Sequence, residues 1–201
     1  SKELIETASK LGPVGGIFNL AAVLHDSMFE IMSLEVFEKV LAPKQLATKY
    51  LDELSTELCP QLKQFVVFSS LTSGIGKGGQ TNYGMANSVM ERIIEERQSH
   101  GLPAKAIQWG AIGDVGLLAD FQLSHMGKDI GGTLPQAISS CLEKLDPLLT
   151  DDASIVSSMV VADKQASDMR KGNIIDLILK IMGIRDRKSI SMDSTLTQLG
   201  I

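Results

Sequence analysis

Apolar residues fall along this chain in two alternating rhythms. Phe65, Val66, Val67 and Phe68 form an unbroken apolar run, the pattern of a strand covered on both faces. Residues 15–22 (GGIFNLAA), 104–110 (AKAIQWG) and 154–162 (SIVSSMVVA) carry similar short runs, and the four predicted strands are 16–20, 64–69, 104–109 and 154–161. Between them the apolar positions recur at helical spacing. Residues 2–11 place Leu4, Ile5, Ala8 and Leu11 on one side, and Gly12-Pro13 stops that helix. Residues 33–57 predict one long helix. Residues 82–98 predict another, with Ala86, Met90, Ile93 and Ile94 inward and Glu91, Glu95 and Arg97 outward. Gly101-Leu102-Pro103 marks a turn, 120–133 a polar lid, and 134–146 a further helix. Strands alternating with helices predict an α/β fold, a parallel sheet joined by right-handed crossovers.

Polar groups gather where these strands end, and open α/β sheets bind their ligands at the carboxyl ends of their strands. The strand at 64–69 runs into Ser69 and Ser70, then into a loop with Gly74, Gly76, Gly78 and Gly79. Tyr83 begins the next helix, and Asn87 lies one turn on, at i+4 on the same face. Asn19, Ala21 and Ala22 close the first strand, either as a plain buried strand end or as small residues that let a ligand approach the backbone. Trp109, Gly110 and Ala111 open a glycine-containing loop that also approaches a ligand.

Bulk properties narrow the field. In 201 residues, 44% are hydrophobic and 21% charged, ordinary for a globular chain. A net charge of −5, without a Lys/Arg cluster, argues against a nucleic-acid partner. Cys59 and Cys141 stand far apart, as two reduced structural thiols of a cytoplasmic protein would. The three histidines show no ligand spacing, so no metal is expected. No apolar run reaches the ~18 residues that would span a membrane. The N-terminal SKELIETASKLG has no signal-peptide core and begins inside a helix, so the chain is expected to be a piece of a longer one.

The segments FSS (68–70), GQTNYGMAN (79–87) and QWGAIGDVG (108–116) resemble the short-chain dehydrogenase/reductase superfamily. Within it they are most similar to the ketoreductase domain of animal-type multifunctional fatty acid synthases. Most of that superfamily carries Lys four residues after the Tyr, where this chain has Asn87. The synthase ketoreductases exchange the two, and the resemblance then assigns the lysine to Lys44 in LAPKQLATKYL. Without the resemblance Lys44 is a solvated surface lysine, as most are and as its neighbour Lys49 is taken to be. The resemblance implies a Rossmann-like doubly wound sheet of order 3-2-1-4-5-6-7, of which this chain supplies the C-terminal half, strands four to seven. No strand–GxGxxG–helix that would hold a pyrophosphate occurs in the sequence. The chain on its own is therefore expected to be an inactive part of an active enzyme.

What the resemblance implies chemically is NADPH-dependent reduction of a β-ketoacyl group on an acyl carrier, a step in fatty acid biosynthesis. Tyr83 would donate the proton and Lys44 would lower its pKa from the ordinary value of about 10. Ser70 would hydrogen-bond the substrate oxygen, and Asn87 would fix Lys44 and a water relay. Tyr83 follows Ser70 by 13 residues, the family interval, which selects Ser70 over Ser69. Asn19, Ala21, Ala22, Lys44, Tyr83, Trp109, Gly110 and Ala111 would border the cofactor. Leu24-His25-Asp26 resembles the Leu-x-Asp signature of ketoreductases that give the 3R alcohol, or else starts a helix. Ile75 stands where the opposite class carries Trp. The domain expectations are a ketoreductase over 1–162, a linker over 163–173, and the start of an acyl carrier domain over 174–201. Residues 174, 175, 178, 181 and 182 supply its helix face, and its phosphopantetheine serine would lie beyond Ile201; the alternative is an ordinary C-terminal helix. Implied partners are the carrier-bound substrate and other domains of a homodimeric synthase. The alternative readings are a polyketide synthase ketoreductase and a non-catalytic reductase-like module.

Overall fold

The computed structural model describes residues 1–116 and 133–161. Helix α1 (Lys2–Ser9) leads into β1 (Gly16–Asn19), a short 3₁₀ turn at Phe29–Ile31, and α2 (Leu34–Leu41). A π turn over Ala42–Leu46 joins α2 to α3 (Ala47–Leu58). Then come β2 (Gln64–Ser70), the one-turn α4 (Thr72–Ile75), α5 (Thr81–Ser99) and β3 (Lys105–Trp109). The described part ends with β4 (Thr133–Leu134), α6 (Ile138–Thr150), β5 (Ile155–Ser158) and β6 (Val160–Val161).

The main sheet is parallel, in the spatial order β1-β2-β3-β5, which is the order the family resemblance implies. Alternate residues of β2 enter two separate cores. Phe65 and Val67 pack with Met90 and Ile94 of α5 and with Ala106. Val66 packs on the opposite face with Ile107, Trp109 and Cys141, and Phe68 joins that side. A strand buried on both faces needs apolar residues at every position, which is why its pattern is unbroken rather than alternating.

Several boundaries and faces differ from the sequence expectation. β1 stops at Asn19, so Ala21 and Ala22 lie beyond it. The helix expected over 134–146 begins at Ile138, because Thr133 and Leu134 pair antiparallel with Val161 and Val160. The last strand is split for the same reason, β6 leaving the main sheet to make that pairing. The stretch 33–57 is not one α-helix. Pro43 has no N–H to give the preceding turn, and its ring crowds the carbonyl four residues back, so the helix widens into a π turn there. The loop after Ser70 contains the short α4. On α1, Ile5 is buried but Leu4 is exposed, as is Leu11 beyond the helix end.

The largest correction concerns α5. Glu91 and Arg97, expected outward, are buried together with Asn82, Ala86, Asn87, Met90 and Ile94 on one helical face. Arg97 donates to Asp52 Oδ1 at 2.5 Å and to the Pro103 carbonyl at 3.2 Å, and its guanidinium lies 4.1 Å from the centre of the Phe65 ring. Both cysteines are free and buried, and burial raises their thiol pKa values. No helix among the described residues is long and apolar enough to cross a membrane. The expected lid, linker and carrier segments, all but residue 133, lie outside the described residues.

Two arginines of α5 give a test of this burial. Arg92 pairs with Glu95 on the exposed face, and Arg92→Ala is expected to cost no more than about 0.5 kcal/mol. Arg97→Ala strips a buried cation from Asp52 and Phe65 and is expected to cost about 3 kcal/mol. Chemical denaturation of the two variants checks this, and equal midpoints would contradict the placement of Arg97.

Candidate active site

β1 ends at Asn19, in register with Val67, and β2 runs three residues further to Ser70, so the residues that follow β1 lie beside the end of β2. Onto that edge the π turn delivers Lys44. Its side chain is 2% exposed, and Nζ donates to the Phe68 carbonyl at 2.8 Å. From α5, Tyr83 presents its ring, with Lys44 Nζ 5.2 Å from the ring centre. Ser70, the last residue of β2, is tied in place locally. Its Oγ accepts from the Thr72 N–H at 3.2 Å, and its carbonyl accepts from Ser73 Oγ at 2.7 Å. Asn87 donates to the Tyr83 backbone carbonyl at 2.8 Å, while its Oδ1 is buried without a partner among the described residues. Trp109 Nε1 is in the same condition. Four residues singled out from the sequence, Lys44, Ser70, Tyr83 and Asn87, thus meet at one strand end.

The electrostatics depart from expectation at Tyr83. Its phenol pKa is raised, not lowered. Burial is the main cause, and hydrogen bonding from Asn87 and Ser70 offsets it in part while the Asp26 charge adds to it. The ammonium faces the ring and donates its hydrogen bond to a strand carbonyl, so desolvation of the phenolate prevails. Lys44 itself is lowered to about 8 by burial.

The loop after β1 is stitched to the start of α5. Both Asp26 carboxylate oxygens accept from Gln80 Nε2, at 3.1 and 2.9 Å. The His25 carbonyl accepts from Asn82 Nδ2 at 3.0 Å, and the Ser27 N–H donates to the Gly79 carbonyl at 2.9 Å. Gly79 holds φ +79° there, a left-handed conformation that glycine adopts without strain. Ile75 is exposed at the end of α4. Gly110 passes close to β5, where a Cβ would stand 3.4 Å from Met159 and from the Ser158 carbonyl, and Ala111 follows it. Asn19 turns its side chain toward Pro43 and Thr48, while Lys49 is exposed and pairs with Glu53.

Sequence reasoning missed Glu91. Its Oε1 accepts from Ser69 Oγ, from Ser73 Oγ at 2.6 Å and from Gln108 Nε2 at 2.9 Å, and Gln108 Oε1 in turn accepts from Ser157 Oγ at 2.8 Å. This chain of polar groups crosses β2, β3 and β5 beneath the site. The signal was available, since Glu91 stands four residues after Asn87 and so shares the face of Tyr83 and Asn87.

Against known proteins, residues 1–114 match the family model described as "KR domain". A hybrid PKS-NRPS synthetase, lepA of Aspergillus flavus, is 42% identical over 118 residues, 59% of this chain and 3% of the relative. Polyketide synthase GfsA of Streptomyces halstedii is 36% identical over 141 residues, 68% of this chain and 2% of the relative. The chain therefore spans only a few hundredths of the length of these relatives. An A-type ketoreductase from a modular polyketide synthase superposes with TM-score 0.70 at 27% identity, covering 81% of this chain and 34% of that one. A 3-oxoacyl-(acyl-carrier-protein) reductase of Agrobacterium tumefaciens, solved with NADP bound, shares the fold at TM-score 0.54 and 16% identity, over 62% of this chain and 50% of that one.

Lys44 supplies a pH test. Between pH about 8 and its ordinary 10.5, the unfolded chain holds the lysine proton and the folded chain does not. The cost of burying the ammonium is present in full below about 8 and is relieved as pH rises toward 10.5. Lys44→Met is expected to stabilise the fold at pH 7 by about 2 kcal/mol, the lost hydrogen bond to Phe68 included. The gain should shrink steadily above pH 8. Denaturation midpoints of both proteins across that range check it, and a pH-independent difference would contradict the burial of Lys44.

Proposed function

Because this chain belongs to the KR domain family, we propose that it forms the substrate side of a ketoreductase site in a larger multidomain synthase. The observation that carries the reading is the buried Lys44 ammonium facing the ring of Tyr83 at the strand end where Ser70 lies. The reaction is reduction of a β-ketoacyl group presented on an acyl carrier. Tyr83 gives its proton to the substrate carbonyl oxygen. Its raised pKa keeps that proton in place until negative charge builds on the oxygen, and the Lys44 ammonium then offsets the charge left on the phenolate. The Ser70 hydroxyl donates to the same oxygen, where charge develops. Asn87, with one buried acceptor unfilled, holds a relay water or the ammonium itself.

The residues present fit the nicotinamide end of NADPH. The Lys44 ammonium spends one N–H on Phe68 and has others for ribose hydroxyls, while Ala21, Ala22, Gly110 and Ala111 put no bulk at the strand ends. Trp109 borders the same edge. NADPH would supply the hydride; position and proton come from the chain. Tyr83→Phe in the intact polypeptide is expected to lower ketone reduction by roughly 10²–10⁴-fold, and reduction at the wild-type rate would overturn the assignment.

The relatives bear on the synthase type. They are polyketide and hybrid synthetases, which favours a polyketide synthase over the fatty acid synthase that the wording of GQTNYGMAN and QWGAIGDVG suggests. The order of neighbouring domains in the intact polypeptide separates the two. We hold residues 163–173 to be a linker and 174–201 the start of a carrier domain, on the apolar face at 174, 175, 178, 181 and 182. A carrier reading requires Asp-Ser soon after Ile201, with phosphopantetheine on that serine. Sequencing the parent through that point, and finding another pattern there, would end this reading.

The product is expected to be the (3R)-hydroxyacyl form. Asp26 is held by Gln80 where its charge acts on the Tyr83 phenol, and Ile75 stands where the opposite class carries Trp. Chiral chromatography of the reduced product checks this, and a predominance of the 3S alcohol would refute it.

A further inference from the structure

We propose that Asn19 is a positioning residue for Lys44, holding open from the end of β1 the turn that carries the lysine. The inference rests on the reading of Lys44 as part of the reductase site, and it reassigns a residue that the sequence suggested would border a cofactor.

The π turn is where the geometry begins. At its C-terminal end the Ala47 N–H reaches back to the Ala42 carbonyl, five residues earlier, rather than to Pro43. The Pro43 carbonyl is met instead by Asn19 Nδ2 at 3.3 Å. The same amide donates to Thr48 Oγ1 at 2.9 Å, and Thr48 is fully buried one turn after Lys44. One side-chain amide therefore bridges the residue before Lys44 and the residue four after it. It can do so because its own orientation is set, Asn19 Oδ1 accepting from the Ala21 N–H at 3.1 Å.

Lys44 is thus held at both ends by neighbouring strands. Its backbone is tied to the end of β1 through Asn19, and its ammonium is tied to the end of β2 through the Phe68 carbonyl. A widened turn has a looser hydrogen-bond ladder than an α-helix, so without an external tie the lysine could swing out to water and away from Tyr83. Around the ammonium, Tyr83 faces it from α5, with Asp26 acting on that phenol, and β2 presents the neutral Phe68 carbonyl. The lysine pKa accordingly reports its burial, and release should move it back toward 10.5.

The test uses the intact polypeptide carrying Asn19→Leu, which keeps the bulk and removes the amide, beside Thr48→Val and Lys44→Met. Two readouts are taken: the reactivity of Lys44 toward an acetylating reagent as a function of pH, by mass spectrometry, and the pH profile of kcat for ketone reduction. Asn19→Leu is expected to move the Lys44 midpoint upward from about 8 and to lower kcat roughly 10–100-fold, the scale of a catalytic group misplaced by about 1 Å. Thr48→Val, which keeps the Pro43 contact, should move both in the same direction by less. An unchanged Lys44 midpoint in folded Asn19→Leu overturns the inference, whatever happens to stability. Lys44→Met separates the two ideas, because full reduction in that variant would sink the catalytic reading while leaving the labelling result to decide how Lys44 is held.

Discussion

The site depends on one hydrogen bond, from the ammonium of Lys44 to the carbonyl of Phe68. A lysine taken out of water needs a partner for its charge, and the end of a parallel strand offers a carbonyl whose ladder stops there. Reaching it fixes several other features. The helix bearing the lysine must break its α geometry at Pro43, β1 must end early enough for Asn19 to reach that turn, and α5 must bring its own polar face inward. The cost of burying the ammonium is met by the apolar layers on either side of β2, where Phe65 and Val67 face one way and Val66 and Phe68 the other.

The architecture was legible because its signals are local. Unbroken apolar runs separated by helical periods lead to a parallel sheet, while the sheet order came from the family resemblance. The residues at the strand ends were legible by type and spacing. What was misread was which charged side chains go inside, although the spacing of Glu91 from Asn87 hinted at it. Glu91 and Arg97 were assigned outward because charged residues rarely bury, yet both sit on the helical face that holds Asn87 and Met90. Burial there is decided by partners distant in sequence, Ser69 and Gln108 for one and Asp52 for the other. The direction of the Tyr83 shift was misjudged for a related reason. Opposite charge nearby was evident from the motif, but the depth at which the phenol lies comes only from packing.

The polar chain from Ser157 through Gln108 and Glu91 to Ser69 shows how an α/β sheet can be firm where its ladder ends. Backbone pairing stops at the carboxyl ends of the strands, yet that is where reacting groups must be held. Side chains from three strands and one helix add cross-links over the last rows of that pairing. Through Ser73 they also reach the carbonyl of Ser70.

The stitching of residues 25–27 to residues 79–82 has a consequence for protein engineering. Three contacts, from Gln80 to Asp26, from Asn82 to the His25 carbonyl and from Ser27 to Gly79, make two segments more than fifty residues apart behave as one piece. A chimera that imports the first segment from another reductase without the second would inherit a loop with its fasteners missing. Domain shuffling at this site should therefore treat the two as a single cassette, with crossover points before Leu24 and after Asn87.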